Sequence, residues 1–349
     1  MFSLISLISL VVSVGGFVTP ASKHARLRIA RPLESSESVA KLPEEGPWKA
    51  AIVGITVCWG GNFAVIKHAM GALSDQSEAA AALLVATRFV VASIALLPFL
   101  VGARKEVLST GFRIGLWCAL GYAAQAYALH AGAMASTTAF ECSLQSVVVA
   151  AWSIFAGSGG DCRRPLAAVA LAVAGVGMLT LSPDVHLSGW GEVVALGQAV
   201  GFGASYVELG AVMDEEPDAA LPLAAAQCVA IAAVSVVAAG FATDWHLLET
   251  PFWGEAIHSP STLASIAWLS VVSTAFTIWL QAVAFKQVSP SDASIILTSE
   301  PLWAALFAFA LLGETFTFTQ ALGGAAIFGA CALNDGLLDD ALPTKQGPS

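Results

Sequence analysis

The chain has 349 residues, 57% hydrophobic and 11% charged, with a mean hydropathy of +0.76. Soluble domains carry about 25% charged residues, so this deficit excludes an ordinary globular protein and points to a polytopic membrane protein. A net charge of −10 argues against nucleic acid as a partner. Six scattered cysteines, without CxxC or Cys/His spacing, predict no metal site, and no cofactor is expected.

The chain opens on MFSLISLISLVVSVGG, an apolar stretch ending in small residues, as in a signal peptide. FVTPASKHARLRIARPL follows, basic and free of acids until Glu34, the composition of a transit peptide. The junction GG–FVTP resembles the bipartite presequences of algae with secondary plastids. Residues 1–46 are therefore expected to be a presequence directing the chain to a plastid envelope. A signal anchor leading to the endomembrane system or plasma membrane is the alternative.

Ten segments then approach the roughly 20 apolar residues that a spanning helix needs: 49–70, 78–101, 112–131, 135–156, 165–182, 189–211, 219–241, 262–285, 291–312 and 318–335. The 242–261 connection carries Trp245, His246, Trp253 and His258, and is expected along the membrane surface. Arg104, Lys105, Arg113, Arg163, Arg164 and Lys286 fall in loops on one side. The positive-inside rule then places both termini on the cytosol-like side, as an even number of spans requires.

Ionisable residues inside spans are costly, about 2.5–3.5 kcal/mol at the bilayer centre on insertion scales, and so are functional candidates. Lys67 and Glu208 stand near span ends, where snorkelling is the competing account. Arg88 lies mid-way along the second span and is either a pathway residue or a partner of a loop carboxylate or helix-end carbonyls. Glu141 in the fourth span has Gln145 one turn on. Glu300 is expected about eight residues into the ninth span, beside Pro301, which cannot donate to the carbonyl of Leu297. Glu300 either satisfies the freed backbone or couples transport to protons. Glu314, after Gly313, reads as the water-side end of that span, where a charge is cheap.

Ser270, Thr274, Thr277 and Gln281 recur at spacings of 4, 3 and 4, one face of a helix. With Trp59 and Asn62 on the first span and Gln125 and Tyr127 on the third, they form polar faces in both halves. Interhelical hydrogen bonding is one explanation; a solute cavity near the midplane is the other. Ala321, Ala325 and Gly329 form a small-residue seam on the last helix, for packing within the bundle or for a homodimer.

The halves repeat. Residues 139–179, moved by 154, match 293–333 without a gap at ten positions, including Phe155 with Phe309 and Gly175 with Gly329. Five spans per half would make the second half enter from the opposite side, an inverted repeat. The expected organisation is a presequence (1–46), a first repeat (47–183), a second repeat (184–336) and a polar tail (337–349).

VCWGGNFAVIKHAM (57–70), ATRFVVASIALLP (86–98) and SEPLWAALFAFALLGETFTFTQALGGAAIFGA (299–330) resemble the EamA family of the drug/metabolite transporter superfamily. The resemblance implies an all-α polytopic membrane protein of ten transmembrane helices in two inverted five-helix repeats. It also implies solute transport by alternating access without covalent chemistry. The first half departs from the pattern, with Ser146-Val147 in place of Glu-Pro and Gly159-Gly160 in place of Gly-Glu.

The expected partners are the lipid bilayer and a small organic solute, an amino acid or related metabolite. The expected path is lined by Trp59, Asn62, Gln125, Tyr127, Glu141, Gln145, Thr277, Gln281 and Glu300. A non-transporting membrane scaffold or sensor of the same fold is the alternative. An intramembrane enzyme is disfavoured, because the histidines (24, 68, 130, 186, 246 and 258) all lie near span ends or in loops.

Overall fold

The computed structural model describes residues 45–73, 77–145, 190–284, 299–315 and 317–334, with isolated positions between 147 and 178 and at 296–297. The presequence, the loop at 157–161 and the polar tail lie outside the described residues. Those that are described form helices and connections, without a strand. Among the described residues, four stretches are long and apolar enough to cross a membrane: Gly46–Gly71, Glu78–Leu100, Ala220–Ala242 and Pro260–Gln281. Val193–Leu209, Glu300–Leu312 and Ala321–Ala330 are shorter apolar helices.

In chain order, α1 is Glu45–Gly71 and α2 is Glu78–Leu96, which runs into a 3-10 turn at Leu97–Leu100. Ser77 starts α2 by accepting a hydrogen bond from the Ala80 N–H, which satisfies one of the open donors of its first turn. Helix α3 is Lys105–His130 and α4 is Ala135–Cys142. The second half gives α5 (Trp190–Glu215), α6 (Ala220–Ala242) and α7 (Pro251–His258). Next come α8 (Pro260–Ala267), a π-helical segment (Trp268–Phe276) and α9 (Thr277–Ala284), in unbroken sequence. Finally α10 is Glu300–Leu312 and α11 is Phe318–Asn334.

Packing mixes the halves. Helix α3 lies against α5 and α6, α2 against α6, and α1 against α10 and α9. Small residues set the approach. A Cβ on Gly115 would stand 2.6 Å from the Gln227 carbonyl, and one on Gly111 2.7 Å from that of Leu223. This four-residue spacing on α3 lets α6 sit against bare backbone. Gly60 does the same for α1, where a Cβ would meet the Ala304 nitrogen at 2.8 Å. On the last helix, Gly324 faces Phe140, while Ala321 and Ala325 of the expected seam are exposed.

Two expected spans differ from the sequence reading in the same way. The fourth was expected as one helix over 135–156, but α4 ends at Cys142 and a turn follows at 143–144. The Ser143 hydroxyl donates to the Phe140 carbonyl at 2.6 Å, and the Leu144 N–H to the Glu141 carbonyl at 3.2 Å. These three-residue bonds tighten the chain and end the α-helical ladder. In the ninth, the Ser299 N–H donates to the Ile296 carbonyl at 3.0 Å, and α10 begins at Glu300. Glu300 therefore stands in the first turn of a helix, with Pro301 at a position where its missing N–H costs nothing. Moved by 154 residues, the turn at 143–144 falls on 297–298, next to Ser299.

The 242–261 connection includes α7 and mixes exposed and buried apolar side chains. Trp245 and Leu248 are exposed and Phe252 is buried. The Trp253 indole N–H donates to the Leu247 carbonyl at 2.6 Å.

Candidate functional site

The polar stripe of the eighth span is real, but its period is not α-helical. Between Trp268 and Phe276 the turn widens to five-residue hydrogen bonds. The Thr274 hydroxyl donates to the Leu269 carbonyl at 2.7 Å, five residues back. Ser273, which the 4-3-4 run did not include, belongs to the buried set with Ser270, Thr274 and Thr277. Such π-segments often mark functional sites.

Three residues from the first half bond to this stripe. The Trp59 indole N–H donates to the Thr277 hydroxyl at 3.1 Å, and the Ser273 hydroxyl donates to the Asn62 side-chain oxygen. The Arg88 Nε donates to the Thr274 hydroxyl oxygen at 2.7 Å. Sequence pattern thus identified Trp59, Asn62, Arg88 and Thr277, while their pairing and Ser273 emerge only from the fold. Gln281, one turn beyond Thr277, is half-buried, with a buried amide nitrogen that finds no acceptor among the described residues.

Arg88 is 2% exposed. Its guanidinium carbon lies 5.1 Å from the Phe89 ring centre and 5.0 Å from that of Tyr122. Contact with ring faces recovers up to about 2 kcal/mol in a desolvated setting. With Tyr122 and Gln125 it lines a cavity of about 10 Å³, water-sized. A larger cavity of about 70 Å³ holds Tyr127, Ser235, His130 and Glu78. Both are bounded by Ala81, Val85 and Ala126. Gln125 and Tyr127, placed on one path by the sequence, therefore line adjoining cavities.

A second group surrounds the helix breaks. Glu141 is fully buried on α4, and Glu300 is 9% exposed on α10. Cys142 lies within electrostatic reach of both, and Tyr206 of Glu300. Gln145 sits beyond the turn, half-buried.

The bundle is tied at both ends. At the α1–α2 end, the Lys67 ammonium donates to the Ala133 carbonyl at 3.0 Å and pairs with Glu314 at 3.1 Å. Glu314 also accepts from the Ala135 N–H at 2.9 Å, the Ser136 N–H at 3.2 Å and the Ser136 hydroxyl at 2.7 Å. It caps α4 from the other half of the chain. Burial would raise this carboxyl. The Ser136 and Ala135 hydrogen bonds, with the Lys67 charge, outweigh it and hold the group below the usual carboxylate range. Glu314 is thus not the solvated boundary residue that its position after Gly313 suggested; its side chain is 8% exposed.

At the other end, Glu208 accepts from Arg113 Nε at 2.6 Å and from the Trp117 indole at 3.2 Å, while Arg104 pairs with Glu216. Lys67 and Glu208 are therefore paired residues rather than snorkelling ones. Among the described residues, no cluster of His, Cys, Asp and Glu could hold a metal.

Residues 189–334 match the model of the EamA-like transporter family. The second half of this chain is similar to EamA domains. Family members are multi-pass membrane transporters rather than enzymes. Of the three stretches that resembled EamA proteins in sequence, 299–330 falls inside the matched region. A solved crystal structure shares the fold at a TM-score of 0.53 and 17% identity, covering 85% of this chain and 98% of that one. At that identity the likeness concerns fold alone. No curated protein matches the chain.

Proposed function

We propose that this EamA protein carries a small organic solute, an amino acid or related metabolite, by alternating access. In this reading its ten spans form two inverted five-helix repeats. The observation that carries the proposal is the pair of interrupted helices, at 143–144 after Glu141 and at Ser299 before Glu300. Broken helices at corresponding positions of two repeats are the best pointer to a transporter binding site, because the freed backbone groups and half-helix ends face a cavity instead of lipid.

The three cross-half bonds to the polar stripe, two of them to the π-segment, support the same site. They join helices that must separate for a solute to pass. Trp59, Asn62, Gln125, Tyr127, Glu141, Gln145, Thr277, Gln281 and Glu300 line the path in this account. The Glu314 latch and the Glu208–Arg113 pair hold opposite ends closed, so alternation requires one end to release while the other holds.

Uptake of a solute panel into proteoliposomes tests this. Accumulation of at least one small organic solute is expected, reduced by Glu141→Gln and by Gln281→Ala. A folded protein that carries none of them would favour a membrane scaffold of the same fold, and full activity in both variants would remove Glu141 and Gln281 from the path.

A further inference from the structure

We propose that Arg88 is an anion subsite that receives the carboxylate of the carried solute; this deepens, and rests on, the transport reading above. The guanidinium is almost wholly buried mid-way along α2, yet among the described residues no carboxylate pairs with it. Glu208, Glu216 and Glu314 are committed to Arg113, Arg104 and Lys67. Of its donors, Nε is used by Thr274, while Nη2 is buried without an acceptor among the described residues. A buried charge in a bilayer marks function when nothing in the protein neutralises it.

The setting is built for a planar anion. Phe89 and Tyr122 lie near the guanidinium carbon, a contact that favours the charge without consuming its N–H donors. The free Nη2 edge matches a carboxylate, which accepts parallel N–H bonds from the same fork. The Gln125 amide lines the same cavity and supplies a second polar wall. One water would satisfy a hydrogen bond at this site but leave the charge uncompensated. Aromatic walls and a single cation suit a flat monoanion better than a tetrahedral phosphate.

Thr274 fixes the aim. Its own proton goes to the Leu269 carbonyl, so its oxygen is left to accept from Arg88. That bond exists because the π-turn moves the Thr274 hydroxyl off the α-helical ladder. The anion would therefore act on the segment that also holds α1 through Asn62, next to Thr277, which holds Trp59. Entry runs through the adjoining cavity of about 70 Å³, past Tyr127.

The test uses the full chain purified in detergent, with acetate, benzoate, L-leucine, leucinamide and inorganic phosphate as probes. Melting temperature and tryptophan fluorescence report binding. At least one carboxylate should bind and raise the melting temperature, while leucinamide and phosphate should not. Arg88→Gln should weaken that carboxylate at least about 10-fold, the loss of a charge-assisted hydrogen bond. Arg88→Met should melt at or above wild type without ligand, because it removes an uncompensated charge. Should Arg88→Gln not fold, Gln125→Leu decides, with carboxylate binding several-fold weaker. The subsite is overturned if no carboxylate binds, if leucinamide or phosphate binds as well, or if Arg88→Met melts well below wild type. Uptake of leucinamide equal to leucine would overturn the subsite and leave transport standing. Carboxylate binding that depends on Arg88, without uptake of any probe, would keep the subsite and remove transport.

Discussion

Glu314 is the residue whose surroundings change its meaning most. As a lone carboxylate after a helix-ending glycine, it would cost little wherever it stood. In the fold it receives two backbone donors, a hydroxyl and an ammonium from the first half of the chain. Removing it leaves those donors without their acceptor, so Glu314→Ala should lower stability by about 2 kcal/mol, on the scale of an unsatisfied buried group plus a lost helix cap. Thermal unfolding in detergent measures this, and an unchanged melting temperature would contradict it. The pH dependence follows from sign. The carboxyl is depressed in the fold, so its contribution is present in full above the unfolded value of about 4.3. It is lost as pH falls through the lower folded value. Melting temperatures should therefore show no step from this group between about pH 5 and 8, and a fall below pH 4.

Much at this scale was legible in the sequence. Trp59, Asn62, Arg88, Thr277, Glu141 and Glu300 stood out because polar groups are expensive in apolar spans. Their partners did not, because hydrogen bonds between residues some 190 to 220 positions apart leave no trace in local spacing. Ser273 was missed for a different reason: the run took its neighbour Thr274, although Ser273 stands three residues after Ser270 and four before Thr277, on the same helical face.

Among the elements, the interrupted helices separate what hydropathy can show from what it cannot. The windows 135–156 and 291–312 are apolar enough on average to be read as spans, and hydropathy alone predicts continuous helices. The breaks come from local hydrogen bonds, at Ser143 to Phe140 and at Ser299 to Ile296. Composition also misdirects about close packing. The sequence drew attention to Ala321, Ala325 and Gly329, whereas close backbone approach in the described bundle relies on Gly111 and Gly115 of α3 against α6. Gly115→Leu should force α3 from α6 and cost about 1–3 kcal/mol, as overpacking does. Gly54→Leu, where a Cβ meets nothing within 4 Å, should be near neutral. Chemical denaturation of the two variants side by side checks this, and equal effects would contradict the packing.

For the whole molecule, the two tied ends define a topology. Lys67, Ala133, Ser136 and Glu314 gather at one end, and Arg104, Arg113, Glu208 and Glu216 at the other. Single cysteines at positions 71 and 132 should react with a membrane-impermeant thiol reagent from one side. A cysteine at position 102 should react from the opposite side. Labelling of positions 71 and 102 from the same side would break the bundle as described. The family match covers residues 189–334, but three side-chain bonds of the central stripe join the two halves, so a transport account must hold for both.

That account is tested most directly by counterflow in proteoliposomes, comparing wild type with Thr277→Val and Glu300→Gln. These two substitutions alter the polar stripe and the α10 break separately, away from both end ties. The account predicts that wild type exchanges at least one small organic solute and that both variants slow the exchange while remaining folded. Exchange as fast as wild type in both variants, or none by the folded wild-type protein across the panel, would contradict it.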